Sequence, residues 1–221
     1  MAVPFILEPA EQGIELLYTF IVVVLCFLIY FKTKEIYDLT GHQGIKFFRY
    51  AFLFFGLAYV SRMFLYFLVI SDTAFDLILP MKTVMAVSAL VVGYLSTMAL
   101  LYLTYNTVRK RIAFEHFLHI SNVIALIIAG FAFVSRSTIL VLMLQLLILV
   151  FAMIASFVDR ESGKKRMPMR AIYFLIFVFW LVSLFIVGPR RVIPFEVTLA
   201  SQVISIGVFL IIYYKVSKWV K

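Results

Sequence analysis

The chain has 221 residues, 65% of them hydrophobic and 14% charged, with 24 phenylalanines, and its mean hydropathy is +1.09, far more apolar than a water-soluble domain, where about 25% of residues are charged. The formal charge of +9 comes from short basic clusters between apolar runs, the pattern of cytoplasmic membrane loops, which excludes a nucleic-acid-binding surface. Cys26 is the single cysteine and stands inside an apolar run, which excludes an intrachain disulfide and a thiolate metal site.

The first residues, MAVPFILEPAEQG, carry Glu8 and Glu11 and no basic residue before an apolar run, which does not read as a signal peptide. A first span is predicted over about Ile14 to Phe31, stopped by Lys32 and Lys34. The connection TKEIYDLTGHQGI mixes charges with Gly41 and Gly44 and reads as a loop or short interfacial turn. A second span follows from Lys46 to Ile70 and carries Arg62 well inside, where a charge is costly unless it is paired or wetted. SDTAFDLIL makes a polar return before Pro80, which suits the first turn of a third span, about Met81 to Tyr105.

The fourth span is predicted over about Phe114 to Phe133. A very short VSRS link then makes the fifth, about Thr138 to Val158, its antiparallel neighbour. After the hydrophilic DRESGKKRMPMR come a sixth span, about Ala171 to Val187, and, past GPRRVIP, a seventh from about Phe195 to Tyr214. The expected fold is therefore an all-α integral membrane protein, a single seven-helix transmembrane unit over 1–221 in the cell membrane.

Basic residues divide unequally between the two faces. Lys32, Lys34, Lys46, Arg49, Arg109 to Arg111, the Arg160 to Arg170 cluster and Lys215 to Lys221 fall on one side; Lys82, Arg136, Arg190 and Arg191 fall on the other. The first side is expected to be cytoplasmic, so the N-terminus is outside and the C-terminus inside. Laying Pro80 over Pro194 brings Ala86 over Ala200 and Gly93 over Gly207, a faint parallel repeat of helices one to three in five to seven, with the fourth as linker.

This three-plus-one-plus-three layout resembles, in topology, that of SWEET-type sugar transporters and microbial rhodopsins, and is similar in organisation to the seven-helix sensor regions of some microbial signalling kinases. The motifs of the first two are not met: the chain has no Pro-Gln pair, and TLASQVISIGVFLIIYY has no lysine for a retinal Schiff base.

Depth along each span suggests a site. At ~1.5 Å per residue, Arg62 lies about 12 Å below the outer boundary, level with Tyr18, Ser88, Gln145, Ser183 and Gln202. Glu15, a turn shallower, is the first-choice counter-ion and Glu196 the second. The functional reading is an outward-open polar pocket in which Arg62 attracts a small anion and Trp180 gives an aromatic wall. The structural reading pairs Arg62 with Glu15 and leaves Gln145 and Gln202 as hydrogen-bonding contacts between helices.

Other polar features carry less. His116, His119 and Asn122 follow one helical face, but two histidines without an acidic or Cys ligand make a poor metal site. No nucleophile, zinc-protease or phosphate-loop motif occurs, so neither catalysis nor a cofactor is expected. The basic loops fit anionic lipid headgroups. The expected function is a non-enzymatic, receptor-like or accessory module signalling through a protein partner. The alternative is a small-solute transporter, for which Thr97, Thr104 and Asn106 mark an inward path.

Overall fold

A computed structural model describes residues 9–41, 43–75, 80–108, 114–135, 137–158, 169–187 and 193–218. Among them the chain forms seven α-helices: α1 Pro9–Thr40, α2 Gln43–Phe75, α3 Met81–Val108, α4 Phe114–Ser135, α5 Thr138–Val158, α6 Met169–Val187 and α7 Phe195–Ser217. Helices are what such apolar runs must form, because lipid offers no partner to a free backbone N–H or C=O. Five stretches, Glu11–Thr40, Gln43–Asp72, Met81–Tyr105, Glu115–Ser135 and Phe195–Ser217, are long and apolar enough to cross a membrane; α5 and α6 contribute the shorter apolar stretches Thr138–Ile154 and Ala171–Ile186. The protein is thus a helical membrane protein with several candidate spans. The basic connections at 109–113 and 159–168, with Arg136, Arg190 and Arg191, lie outside the described residues.

The expected loop TKEIYDLTGHQGI is instead almost wholly helical. Lys32 and Lys34 do not stop α1, because its inward stripe continues at helical spacing through Ile29, Thr33 and Ile36, all buried. The Thr33 and Thr40 hydroxyls donate to the carbonyls of Ile29 and Ile36, each at 2.7 Å, and Lys32 meets Glu35 at 2.6 Å on the outer surface. Among the described residues α1 and α2 break only at Gly41. Gly41 has φ +61°, and its N–H donates to the Tyr37 carbonyl at 2.8 Å, the left-handed helix stop that a residue without Cβ makes at least cost. In the same way α2 runs through Ser71 and Asp72 to Phe75.

Six helices close into a ring: α1 packs on α2, α2 on α3, α3 on α5, α5 on α6, α6 on α7 and α7 back on α1. Outside this ring, α4 lies against α3 and more lightly against α5. The centre is aromatic, with Phe52, Phe55, Phe179, Trp180 and Phe209 in successive contact at ring-centroid separations between 4.9 and 6.3 Å. Small residues permit close approach where rings do not intervene. A Cβ on Gly56 of α2 would stand 3.4 Å from the Cys26 Cβ of α1, and one on Gly93 of α3 would stand 3.5 Å from the Ala132 Cβ of α4. Large apolar residues such as Phe20, Phe64, Leu126, Leu147, Phe174 and Val203 are exposed on the outside of the bundle, as a lipid-facing surface requires.

A polar cavity beside Arg62

Arg62 sits on α2 and turns toward α1. Its Nη2 donates to Glu15 Oε2 at 3.5 Å and to the Tyr66 hydroxyl at 3.1 Å, and Tyr66 in turn donates to the same Glu15 oxygen at 3.3 Å. Tyr66 follows Arg62 by four residues and so shares its face of the helix. Glu15 is 3% exposed and Arg62 23%, so the carboxylate is enclosed while the guanidinium keeps an open side. Its Nε and Nη1 have no hydrogen-bond partner among the described residues. Glu196, the other acidic candidate, is exposed at the start of α7.

That open side faces a cavity of about 130 Å³ walled by α1 to α6. It extends to Thr138 at the start of α5 and Ile186 at the end of α6, the same end of the bundle at which α2 finishes and α3 begins. Its wall is mostly apolar, with Phe55, Ala89, Val141, Leu142 and Ile186 among its residues, and polar groups converge on it from two sides. On one side are Arg62, Tyr18 and Tyr59. The Tyr18 hydroxyl lies 2.9 Å from Ser205 Oγ of α7 and 3.5 Å from the Tyr59 hydroxyl. On the other side is Gln145, whose Nε2 donates to Ser96 Oγ at 2.7 Å and Thr97 Oγ1 at 3.0 Å, while its Oε1 accepts from the Trp180 indole at 3.2 Å. Ser96 and Thr97 pass their own protons back to the Val92 and Gly93 carbonyls, so the network fixes which way the amide points. Ser183 lines the cavity with its hydroxyl held by the Phe179 carbonyl at 2.8 Å.

Of the residues placed at one depth by the sequence, Arg62, Tyr18, Gln145 and Ser183 line this single cavity, as does Trp180, expected as its aromatic wall, and Glu15 supports it from behind. Ser88 does not join them. It faces a separate groove between α2 and α3 with Ser61, Phe64 and Val87, because cavity-lining Ala89, Val92, Gly93 and Ser96 keep a strict helical face that Ser88 falls outside. Gln202 is buried on α7 but is absent from the cavity wall. Tyr59, Tyr66 and Ser96 were not singled out from the sequence; the signal for the two tyrosines was their helical spacing from Arg62, and for Ser96 its helical spacing from Ala89 and Gly93. Thr97 and Thr104 are buried and bonded to their own helix, and the Asn106 side chain lies outside the described residues. On α4, His116 and His119 are exposed, and Asn122 accepts from the Tyr94 hydroxyl of α3 at 2.6 Å.

No protein-family model matches the chain, and no solved structure matches it. A protein of Archaeoglobus fulgidus, described as an uncharacterized protein, is 33% identical to it over 222 residues, spanning 97% of this chain and 96% of that one. Likeness at this level along nearly the full length of both is a relationship between whole chains, and the protein belongs to the same family as that Archaeoglobus fulgidus protein.

Proposed function

We propose that the chain is a non-enzymatic, receptor-like membrane module of seven spans in the cell membrane, with its N-terminus outside and its C-terminus cytoplasmic, that binds a small anionic ligand in an outward-facing pocket beside Arg62. The observation that carries this reading is the cavity itself. A cation with unused donors is set at the edge of a partly open, mostly apolar cavity into which a few polar groups converge, the usual character of a small-molecule site. Arginine stays charged at any relevant pH, and the low dielectric around it strengthens each contact. The cytoplasmic basic clusters suit anionic headgroups, and a separate protein partner would read the bound state.

A transporter is the second reading, and the helix ring favours it. The packing order α1, α2, α3 is matched by α5, α6, α7; α3 meets α5 as α7 meets α1, and α4 stays outside as a linker, which supports a parallel three-plus-one-plus-three repeat. The test common to both readings is a thermal-shift screen of carboxylates, phosphates and neutral sugars on the detergent-solubilised protein, because a ligand of the folded state raises stability with the logarithm of its concentration. An anion should stabilise the wild type and leave Arg62→Gln unmoved. Equal shifts in both, or none in either, would remove the pocket reading.

A further inference from the structure

The two polar groups that flank the cavity occupy corresponding places in the two halves of the ring. Tyr18, Tyr59 and Ser205 join α1, α2 and α7. Gln145, Trp180 and Thr97 join α5, α6 and α3. Exchanging α1 for α5, α2 for α6 and α7 for α3 maps one triad onto the other, and the packing order of the ring survives the exchange. Extended along the helices, these registers match burial at several positions, though not where buried Leu103 falls on exposed Ile211. Val22 falls on Leu149 and Leu25 on Ala152, all buried, while Phe20 falls on Leu147 and Val24 on Phe151, all exposed. In α2 and α6, Ala51 falls on Ile172, Phe55 on Ile176 and Ala58 on Phe179, again all buried. For α3 and α7, Thr97 over Ser205 carries Leu100 onto Val208 and Leu101 onto Phe209, all buried. The register suggested by the prolines instead lays buried Ala86 on exposed Ala200.

Against this correspondence one difference stands out in chemistry. Glu15 falls on Leu142 and Arg62 on Ser183, so the charge belongs to one half of the site alone. The cavity is therefore two-ended. Arg62 and the Tyr18 and Tyr59 hydroxyls are at the α1 and α2 side, and Val141, Leu142 and Ile186 are at the α5 and α6 side, where the polar atoms of Gln145, Trp180 and Ser183 are already bonded within the protein. Building on the pocket reading above, we propose that the ligand is a monocarboxylate with a compact apolar body, its carboxylate at Arg62 and its body against α5 and α6. The cavity of about 130 Å³ is slightly smaller than the roughly 150 Å³ that accommodates a benzene ring, so about six carbon atoms are the upper limit of the body, with the carboxylate at the open side by Arg62. Glu15 already offsets the Arg62 charge at 3.5 Å, so a single negative charge is tolerated far better than the two of a phosphate.

Benzoate, acetate, phosphate and the neutral isostere benzamide test this in melts of the full-length protein in detergent. Benzoate is expected to raise the melting temperature of the wild type with the logarithm of its concentration. Acetate should need on the order of a thousand-fold more, since its body lacks five of those carbons and each buried methylene is worth roughly fourfold in affinity. Arg62→Gln should abolish the benzoate shift, as should Leu142→Trp, which fills the apolar end; Ala89→Phe serves if Leu142→Trp does not fold. Glu15→Gln should melt lower than wild type yet gain more from benzoate, because the ligand then supplies the missing counter-charge. Benzamide or acetate matching benzoate, or an undiminished shift in the filled variants, overturns the ligand class. An Arg62-dependent shift with phosphate and none with benzoate overturns the class while retaining an anion pocket. No shift with any anion removes both.

Discussion

Replacing each end of the Arg62–Glu15 contact, and then both, measures what holds α1 to α2 beside the cavity. Arg62→Leu takes the guanidinium from a carboxylate that is 3% exposed and that keeps the Tyr66 hydroxyl as a donor, and removing one partner of a buried ion pair costs about 3 kcal/mol. Glu15→Leu is milder, about 2 kcal/mol, because the guanidinium retains Tyr66 and is 23% exposed. The 3.5 Å separation is longer than the ~2.8 Å of a tight charge-assisted bond, so the coupling should be about 2 kcal/mol rather than the upper end of the range for neighbouring groups. At about 2–4 °C per kcal/mol for a chain of this size, the singles melt roughly 6–12 °C and 4–8 °C below wild type. The double mutant should then stand roughly 4–8 °C above their sum. Tyr66→Phe, which removes the bridging hydroxyl, should cost about 1 kcal/mol. The assay is a melt in one detergent at one ionic strength, followed by tryptophan fluorescence. Shifts that add to within about 0.5 kcal/mol would show that the two charges do not act on one another and would refute the argument from burial.

Cysteines placed at Asp72 and Ser162 should react with an impermeant reagent from opposite sides of sealed membranes, and native Cys26, fully buried, should stay silent; labelling from one side alone refutes the seven-span topology. Gln145→Leu leaves the Trp180 N–H without its acceptor and should destabilise by about 1–3 kcal/mol, with a red-to-blue change in tryptophan emission as the readout for the lost bond; an unaltered melt and spectrum refute the network. Gly56→Leu should force α1 and α2 apart, since even a Cβ there stands 3.4 Å from Cys26, whereas Gly130→Leu, with nothing within 4 Å, should melt as wild type does. Equal melts for the two glycine variants would refute the close-packing account.

The helices were legible because each apolar run is long and its ends are polar; α5 begins and ends as expected, Thr138–Val158. The ends of α1 and α2 were not, since charge inside TKEIYDLTGHQGI outweighed the inward stripe of Ile29, Thr33 and Ile36 that continues beneath it. Depth was legible, and it placed Glu15 rather than Glu196 beside Arg62, which the 3.5 Å contact bears out. Azimuth was not. Ser88 and Ala89 differ by a single residue in depth but by about 100° around the helix, and only Ala89 reaches the cavity. Helices such as α2, α3 and α7, apolar nearly all round, leave little periodicity from which to read a face.

The length of α1 and α2 has a mechanical consequence. The 32 residues of α1 extend about 48 Å, well beyond the ~30 Å of hydrocarbon, and α2 accompanies it as an equally long partner. Glu15 and Arg62 stand toward one end of the pair and Gly41 at the other, where Ile36 and Ile45 tie it into the buried core. A tilt of about 10° over that length would displace the Gly41 end by about 8 Å, so a small rearrangement beside Glu15 would be enlarged at the opposite end of the pair.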